Sequence, residues 1–352
     1  MMYSNYSYFD QPAKLRESYE PLRISGERNT MSHAHSLPSR LLVAVGGNAI
    51  HPEGIVGTPQ EQVDIVAATA KALLPLMQLD NELIVTHGNG PVVGKILLRQ
   101  ALARQRVVPM SLDICVAHSQ GGIAYLLMQA FENALREADS QRHVVCLLTQ
   151  VEVDPDDPGF QHPTKPIGYF YTEDEARSIT KELGWTMRED AGRGWRFVVA
   201  SPAPKHIVDI SLIEALAKRG AVVIAGGGGG IPVIRGPKKV RRGVEAVIDK
   251  DLTSALMANV LGIDVMMILT GVSRVAINYR TPRQRELDRV TLSEARRYLA
   301  EGQFPAGSMG PKVEAAIRFL ERGGRHAVIG HLQEALPALR GETGTHIVPD
   351  ES

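Results

Sequence analysis

Three apolar, strand-like runs of this chain end in clusters of glycine: LLVAVGGNAI at 41–50, ELIVTHGNG at 82–90 and AVVIAGGGGG at 221–230. Between and after them the apolar residues recur at helical spacing, as in TPQEQVDIVAATAKALLPLMQ, VVGKILLRQALARQR, SQGGIAYLLMQAFENALREA, LTSALMANVLG and KVEAAIRFLERG. Further strand-like runs are HVVCLLTQVEV, VMMILTGV and HAVIGHL. Alternation of strands and helices argues for an α/β fold, a mainly parallel central sheet with helices on both faces, that is, a three-layer αβα sandwich. Ligands of such sheets bind beyond the carboxyl ends of the strands, where all three glycine clusters are expected to fall. Backbone N–H groups without side chains in the way, near helix N-termini, suit anionic oxygens.

The composition narrows the ligand. Lys+Arg and Asp+Glu both number 39 in 352 residues, a balance that excludes a strongly cationic nucleic-acid or membrane-surface protein. No apolar run reaches the ~18 residues of a membrane span. The two cysteines, Cys115 and Cys146, lie in apolar segments and read as buried thiols, as expected in a reducing cytoplasm. Residues 1–38 are polar and aperiodic, and read as a flexible extension before a domain spanning 39–352. Within that domain, about 152–200 breaks the strand–helix rhythm with DPDDPGFQHPTKPIGYFY and is expected to form an inserted lid.

Several familiar motifs are absent. GNGPVVGK at 88–95 has the wrong glycine spacing for a phosphate-binding P-loop, and Ile96 stands where a hydroxyl should meet Mg²⁺. Histidines show no metal-ligand spacing, so no protein metal ligands are expected. SQGG lacks the first glycine of a nucleophile elbow because Ala117 occupies it; Ser119 is expected to cap a helix or meet a neighbouring loop. Three lysines sit in unusual settings instead. Lys165 lies in HPTKPIG on the expected lid, Lys250 beside Asp251 in VIDKDL, and Lys312 in PAGSMGPKV. The last two begin helices, where a lysine opposes the macrodipole and so suggests a bound anion. Phosphoryl transfer needs such charge on the migrating group.

VGGNAI, THGNGP, SQGGIAYLLMQA, PTKPIG, IAGGGGGIPVI, AVIDKDL and EGQFPAGSMGPKVEAAI resemble, in order, the motifs of carbamate kinases, in the amino acid kinase superfamily. The resemblance spans about residues 40–348 and implies a cytoplasmic homodimer with an eight-stranded sheet. It implies reversible phosphoryl transfer between ATP and carbamate, run toward ATP from carbamoyl phosphate and ADP, with Mg²⁺ on the nucleotide, in catabolism such as that of arginine. By the same resemblance Gly46, Gly47, Asn48, Gly88, Asn89 and Gly90 hold carbamoyl and phosphoryl oxygens. Lys165 closes over the phosphoryl group, Lys250 and Lys312 neutralise it, and Asp251 orients the lysines. Tyr279, Pro305, Gly307 and Met309 line the adenine pocket, above Gly226, Gly227, Gly228 and Gly229.

The chain departs from the family pattern at Val92, His162, Tyr169, Phe197, Ala200, Ala203 and Gln303. His162 is expected either to contact the substrate or to pack against Tyr169. These departures leave two other readings: a kinase of the same fold acting on another small carboxylate, phosphonate or amino acid, and a non-catalytic nucleotide sensor. Retention of Lys165, Lys250, Asp251 and Lys312 together argues against the sensor.

Overall fold

The computed structural model describes residues 37–350 other than 53, 191 and 306, and at Asn48 the backbone only. All but the last two positions of the expected N-terminal extension therefore lie outside the described residues. In chain order the elements are β1 (Arg40–Val45), α1 (Pro59–Met77), β2 (Glu82–His87), α2 (Gly90–Ala103), α3 (Leu112–Glu137), β3 (Val144–Cys146) and β4 (Gln150–Val153). Then follow β5 (Lys165–Tyr171), α4 (Glu173–Leu183), β6 (Met187–Glu189), β7 (Trp195–Val199), β8 (Pro204–Ile207), α5 (Ile210–Lys218), β9 (Val222–Ile224), β10 (Ile231–Arg235) and β11 (Arg241–Gly243). The chain ends through α6 (Lys250–Leu261), β12 (Val265–Thr270), β13 (Val275–Ile277), β14 (Arg285–Leu287), β15 (Arg289–Thr291), α7 (Leu292–Ala300), α8 (Gly310–Glu321), β16 (His326–His331), α9 (Ala335–Leu339) and β17 (Thr345–Val348).

An eight-stranded sheet in the order β15-β17-β16-β12-β1-β2-β9-β3 forms the middle layer. Its neighbours are parallel except β16 and β17. Side chains of a strand alternate between faces, so β1 divides its apolar residues between two cores. Leu42 and Ala44, with Met266 and Ile268 of β12, meet α5, α6, α7 and α8. Leu41, Val43 and Val45, with Met267, meet α1, α3 and α9. Burial on both faces is why these strands read as unbroken apolar runs.

The expected single strand HVVCLLTQVEV is two. β3 completes the central sheet, whereas β4 enters a second sheet ordered β11-β10-β4-β8. The last apolar part of the five-glycine run, Ile231–Arg235, also belongs to that second sheet. A separate three-stranded sheet, β5-β7-β6, carries α4 on the stretch 165–199. Its root is fixed by a third apolar cluster in which Ile167 and Val199 pack on Val93, Leu112, Cys115 and Val116. There α2 and β5 approach backbone to backbone: a Cβ on Gly94 would lie 2.1 Å from Gly168 Cα.

Candidate active site

The chain leaves β1 toward β2 on one side, and β12 later joins β1 on the other. Such a reversal opens a crevice beyond the strands' carboxyl ends. A cleft of about 660 Å³ lies there, bordered by Gly46 and Gly47 after β1 and by Thr270 and Gly271 after β12. The first two glycine turns touch across it, since a Cβ on Gly88 would fall 3.0 Å from Gly47 N.

The floor of the cleft is built by the start of α6. Asp249 caps that helix, its Oδ1 accepting from the backbone N–H of Asp251 at 2.9 Å, while its Oδ2 receives Lys165 Nζ at 2.7 Å. One residue into the helix, Asp251 Oδ1 accepts from Lys250 Nζ and Oδ2 from Lys312 Nζ at 3.1 Å. Asp249, Asp251 and Lys312 border the cleft, and Lys165 and Lys250 are each one hydrogen bond from those carboxylates. Two aspartates and three lysines leave a local charge of +3 − 2 = +1 when all are ionised.

Burial alone would raise the Asp251 carboxyl, but Lys250 and Lys312 outweigh it and hold the group well below the usual carboxylate range. Asp249 is likewise raised by burial and held low overall by Lys165 and Lys250. Burial lowers Lys250, helped by the neighbouring Lys312, whereas burial of Lys312 is overcome by Asp251 and its ammonium is raised. The anion that the two helix-start lysines suggested is thus in the first instance the chain's own Asp251. The residual positive charge is what remains for a ligand.

The glycine run 226–230 is buried beneath this floor. A Cβ at Gly227 would lie 2.2 Å from His87 Nε2, at Gly228 2.3 Å from Asn89 Nδ2, and at Gly229 2.3 Å from Ile248 O. Its carbonyls are engaged internally: Gln120 Nε2 donates to Gly227 O at 2.7 Å and Thr253 Oγ1 to Gly229 O at 2.8 Å. The run needs glycine because the turn after β2 and the start of α6 are both packed on it.

The Asn89 side-chain amide donates to Ser119 Oγ at 2.8 Å. Ser119 is not a cap: it lies inside α3, donates to Val116 O and meets the neighbouring loop through Asn89. Tyr279 is half exposed, and the Asn278 N–H donated to Gln303 Oε1 at 2.9 Å sets its turn beside the loop before α8. Of the residues expected around the adenine, Gly307 borders the cleft, Pro305 is exposed and Met309 packs against the core. His162 is exposed on the turn before β5; the group over the Tyr169 ring is Lys95, at 5.1 Å.

Sequence reasoning missed Asp249, whose place just before a helix in IDKDL is an N-cap signature. It also missed His51 and Lys95, far apart in sequence; Lys95 ends GNGPVVGK, which fails as a P-loop, and His51 carries no motif.

A family model described as the amino acid kinase family matches residues 39–331. The carbamate kinase of Pyrococcus furiosus is 46% identical over 312 residues, covering 88% of this chain and 99% of that one. A carbamate kinase-like protein of Escherichia coli is 47% identical over 312 residues, covering 88% and 98%. Among solved structures, the carbamate kinase from Giardia lamblia bound to AMP-PNP matches with a TM-score of 0.81 at 42% identity, over 89% of this chain and 99% of that one.

Proposed function

The chain belongs to the amino acid kinase family, and from that premise we propose that it is a carbamate kinase, transferring a phosphoryl group between carbamoyl phosphate and ADP. The observation that carries this reading is the linked set Lys165–Asp249 and Lys250–Asp251–Lys312 at the carboxyl edge of the sheet. Its net positive charge is organised in advance by the buried Asp251 and the half-buried Asp249, so little reorganisation accompanies the movement of a phosphoryl group.

In this reading Lys250 and Lys312 face the charge on the transferring group, and Asp251 holds both ammonium groups in position without acting as a base. Lys165 reaches in from β5 and neutralises the oxygens that bridge donor and acceptor. Gly46, Gly47, Gly88 and Gly90 allow the phosphoryl oxygens close to the backbone, and the Asn48 backbone belongs to the same turn. Direct in-line transfer needs no covalent enzyme intermediate. Mg²⁺ bound with the nucleotide would supply further positive charge at the phosphate oxygens, beside Lys250 and Lys312.

We also read the active unit as a cytoplasmic homodimer. Leu148 lies against Gly121 of α3, a turn before Tyr125, and both apolar side chains are 63% exposed, as a subunit contact would require. No helix among the described residues is long and apolar enough to cross a membrane.

The test is the rate of ATP formation from ADP with carbamoyl phosphate, set beside other small acyl phosphates and phosphorylated amino acids. Preference for carbamoyl phosphate supports the reading. ADP binding with turnover of a different donor alone would overturn it and leave a kinase of another small acid.

A further inference from the structure

Three cations at the cleft have no part in the lysine–aspartate set: Arg193 and Arg196, which pair with Asp190, and Lys95. Lys95, on α2, reaches the loop after β1, where its Nζ donates to His51 Nε2 at 2.5 Å and to Val56 O at 2.9 Å. The Tyr169 ring of β5 lies 5.1 Å away. These contacts are all neutral among the described residues, and they account for two of the ammonium's three N–H groups. Glu61 interacts with the ammonium through its charge but makes no ion pair with it, its Oε2 accepting instead from the N–H of Gly57 at 2.9 Å and of Thr58 at 2.8 Å.

The arrangement is built rather than incidental. His51 is 6% exposed and its own N–H donates to Gly47 O at 2.8 Å, which ties it to the first glycine turn. Because Lys95 can only donate, His51 must present a lone pair at Nε2 and stay neutral. Burial, and then the ammonium itself, lower its pKa accordingly. Gly57, at φ +81°, leaves room for the pair: a Cβ there would lie 2.7 Å from Lys95 Nζ and 2.8 Å from His51 Nε2. Lys95, His51 and Tyr169 border the same cleft as Asp251 and Lys312.

We infer that Lys95, oriented by His51 and Tyr169, donates to the acceptor's non-transferring oxygen: a carboxylate oxygen of carbamate in one direction, the neutral carbonyl oxygen of carbamoyl phosphate in the other. The inference rests on the carbamate kinase reading and adds to it a second cationic pole. The lysine–aspartate set holds the phosphoryl group, and the Lys95 ammonium, outside that set and against a tyrosine ring, selects a small acceptor beside it.

Steady-state ATP formation by the full-length chain, with ADP and carbamoyl phosphate varied separately, tests the assignment on Lys95→Met and Lys95→Arg. Loss of a charge-assisted hydrogen bond predicts that Lys95→Met raises the KM for carbamoyl phosphate about tenfold to a hundredfold. The KM for ADP should change by less than about twofold, and Lys95→Arg should recover most of the loss, because the charge is kept. An unchanged KM for carbamoyl phosphate, or equal rises in both KM values, would overturn the inference. So would a Tm lowered by Lys95→Met with no selective effect on KM, since Lys95 would then only latch the 51–57 loop. Absence of turnover by the unsubstituted protein would instead overturn the parent reading, and the inference with it.

Discussion

Asp249 does two things with one carboxylate: it caps α6 through Oδ1 and holds Lys165 through Oδ2. The two roles separate by substitution. Asn is as good a cap as Asp, so Asp249→Asn should leave Tm nearly unchanged while lowering kcat roughly 10- to 100-fold, through loss of the charged contact to Lys165. A fall in Tm with kcat intact would reverse the assignment. His87 offers a second test at this scale. It is fully buried, its Nε2 has no hydrogen-bond partner among the described residues, and burial, with Lys250 adding to it, lowers its pKa from 6.5 to about 4. Since the native state resists protonation and the unfolded chain does not, His87 contributes stability fully above pH 6.5. That contribution is lost as pH falls toward about 4. Between about pH 7.5 and about pH 5 the loss should be roughly 2 kcal/mol, read from urea midpoints, and His87→Gln should flatten that part of the profile. An identical slope in both proteins would contradict it.

At the scale of elements, the position of Lys165 depends on how β5 sits on α2. Gly94 and Gly168 meet with no space for a side chain, so Gly94→Ala must push the strand away from the helix. The expected cost is about 1–3 kcal/mol in stability, with a loss of kcat larger than that of an exposed substitution on α4, measured by denaturation and turnover side by side. Unchanged stability and kcat would mean that the contact yields without moving Lys165. The central strands were legible in the sequence because burial on both faces leaves continuous apolar runs such as LLVAV and VMMIL. The division of HVVCLLTQVEV was not, because β3 and β4 share one composition and only tertiary pairing sends them to different sheets. Helix α3 begins at Leu112, before the expected SQGG, for a related reason: Ser119 and Gln120 face inward to bond Asn89 and the glycine run, so polar residues interrupt its apolar stripe.

Across the whole molecule, three chain-distant segments converge on one cleft: the loop after β1, the start of α6 and the start of α8. Lys165, Lys250, Asp251 and Lys312 could be singled out because each sits in a locally odd setting, a lysine between prolines or at a helix start. Lys95 and His51 could not, since an exposed-looking lysine in an amphipathic helix gains its meaning only when the loop from 51 to 57 folds over it. Catalysis by the lysine–aspartate set is addressed most directly by Lys250→Met, because the methionine keeps the packed stem and removes the charge while Asp251 retains Lys312. ATP formation from ADP and carbamoyl phosphate should fall by about two to four orders of magnitude in kcat, with the folded structure and Tm largely kept. Turnover within about tenfold of the unsubstituted protein would contradict the claim that this cluster stabilises the transferring phosphoryl group.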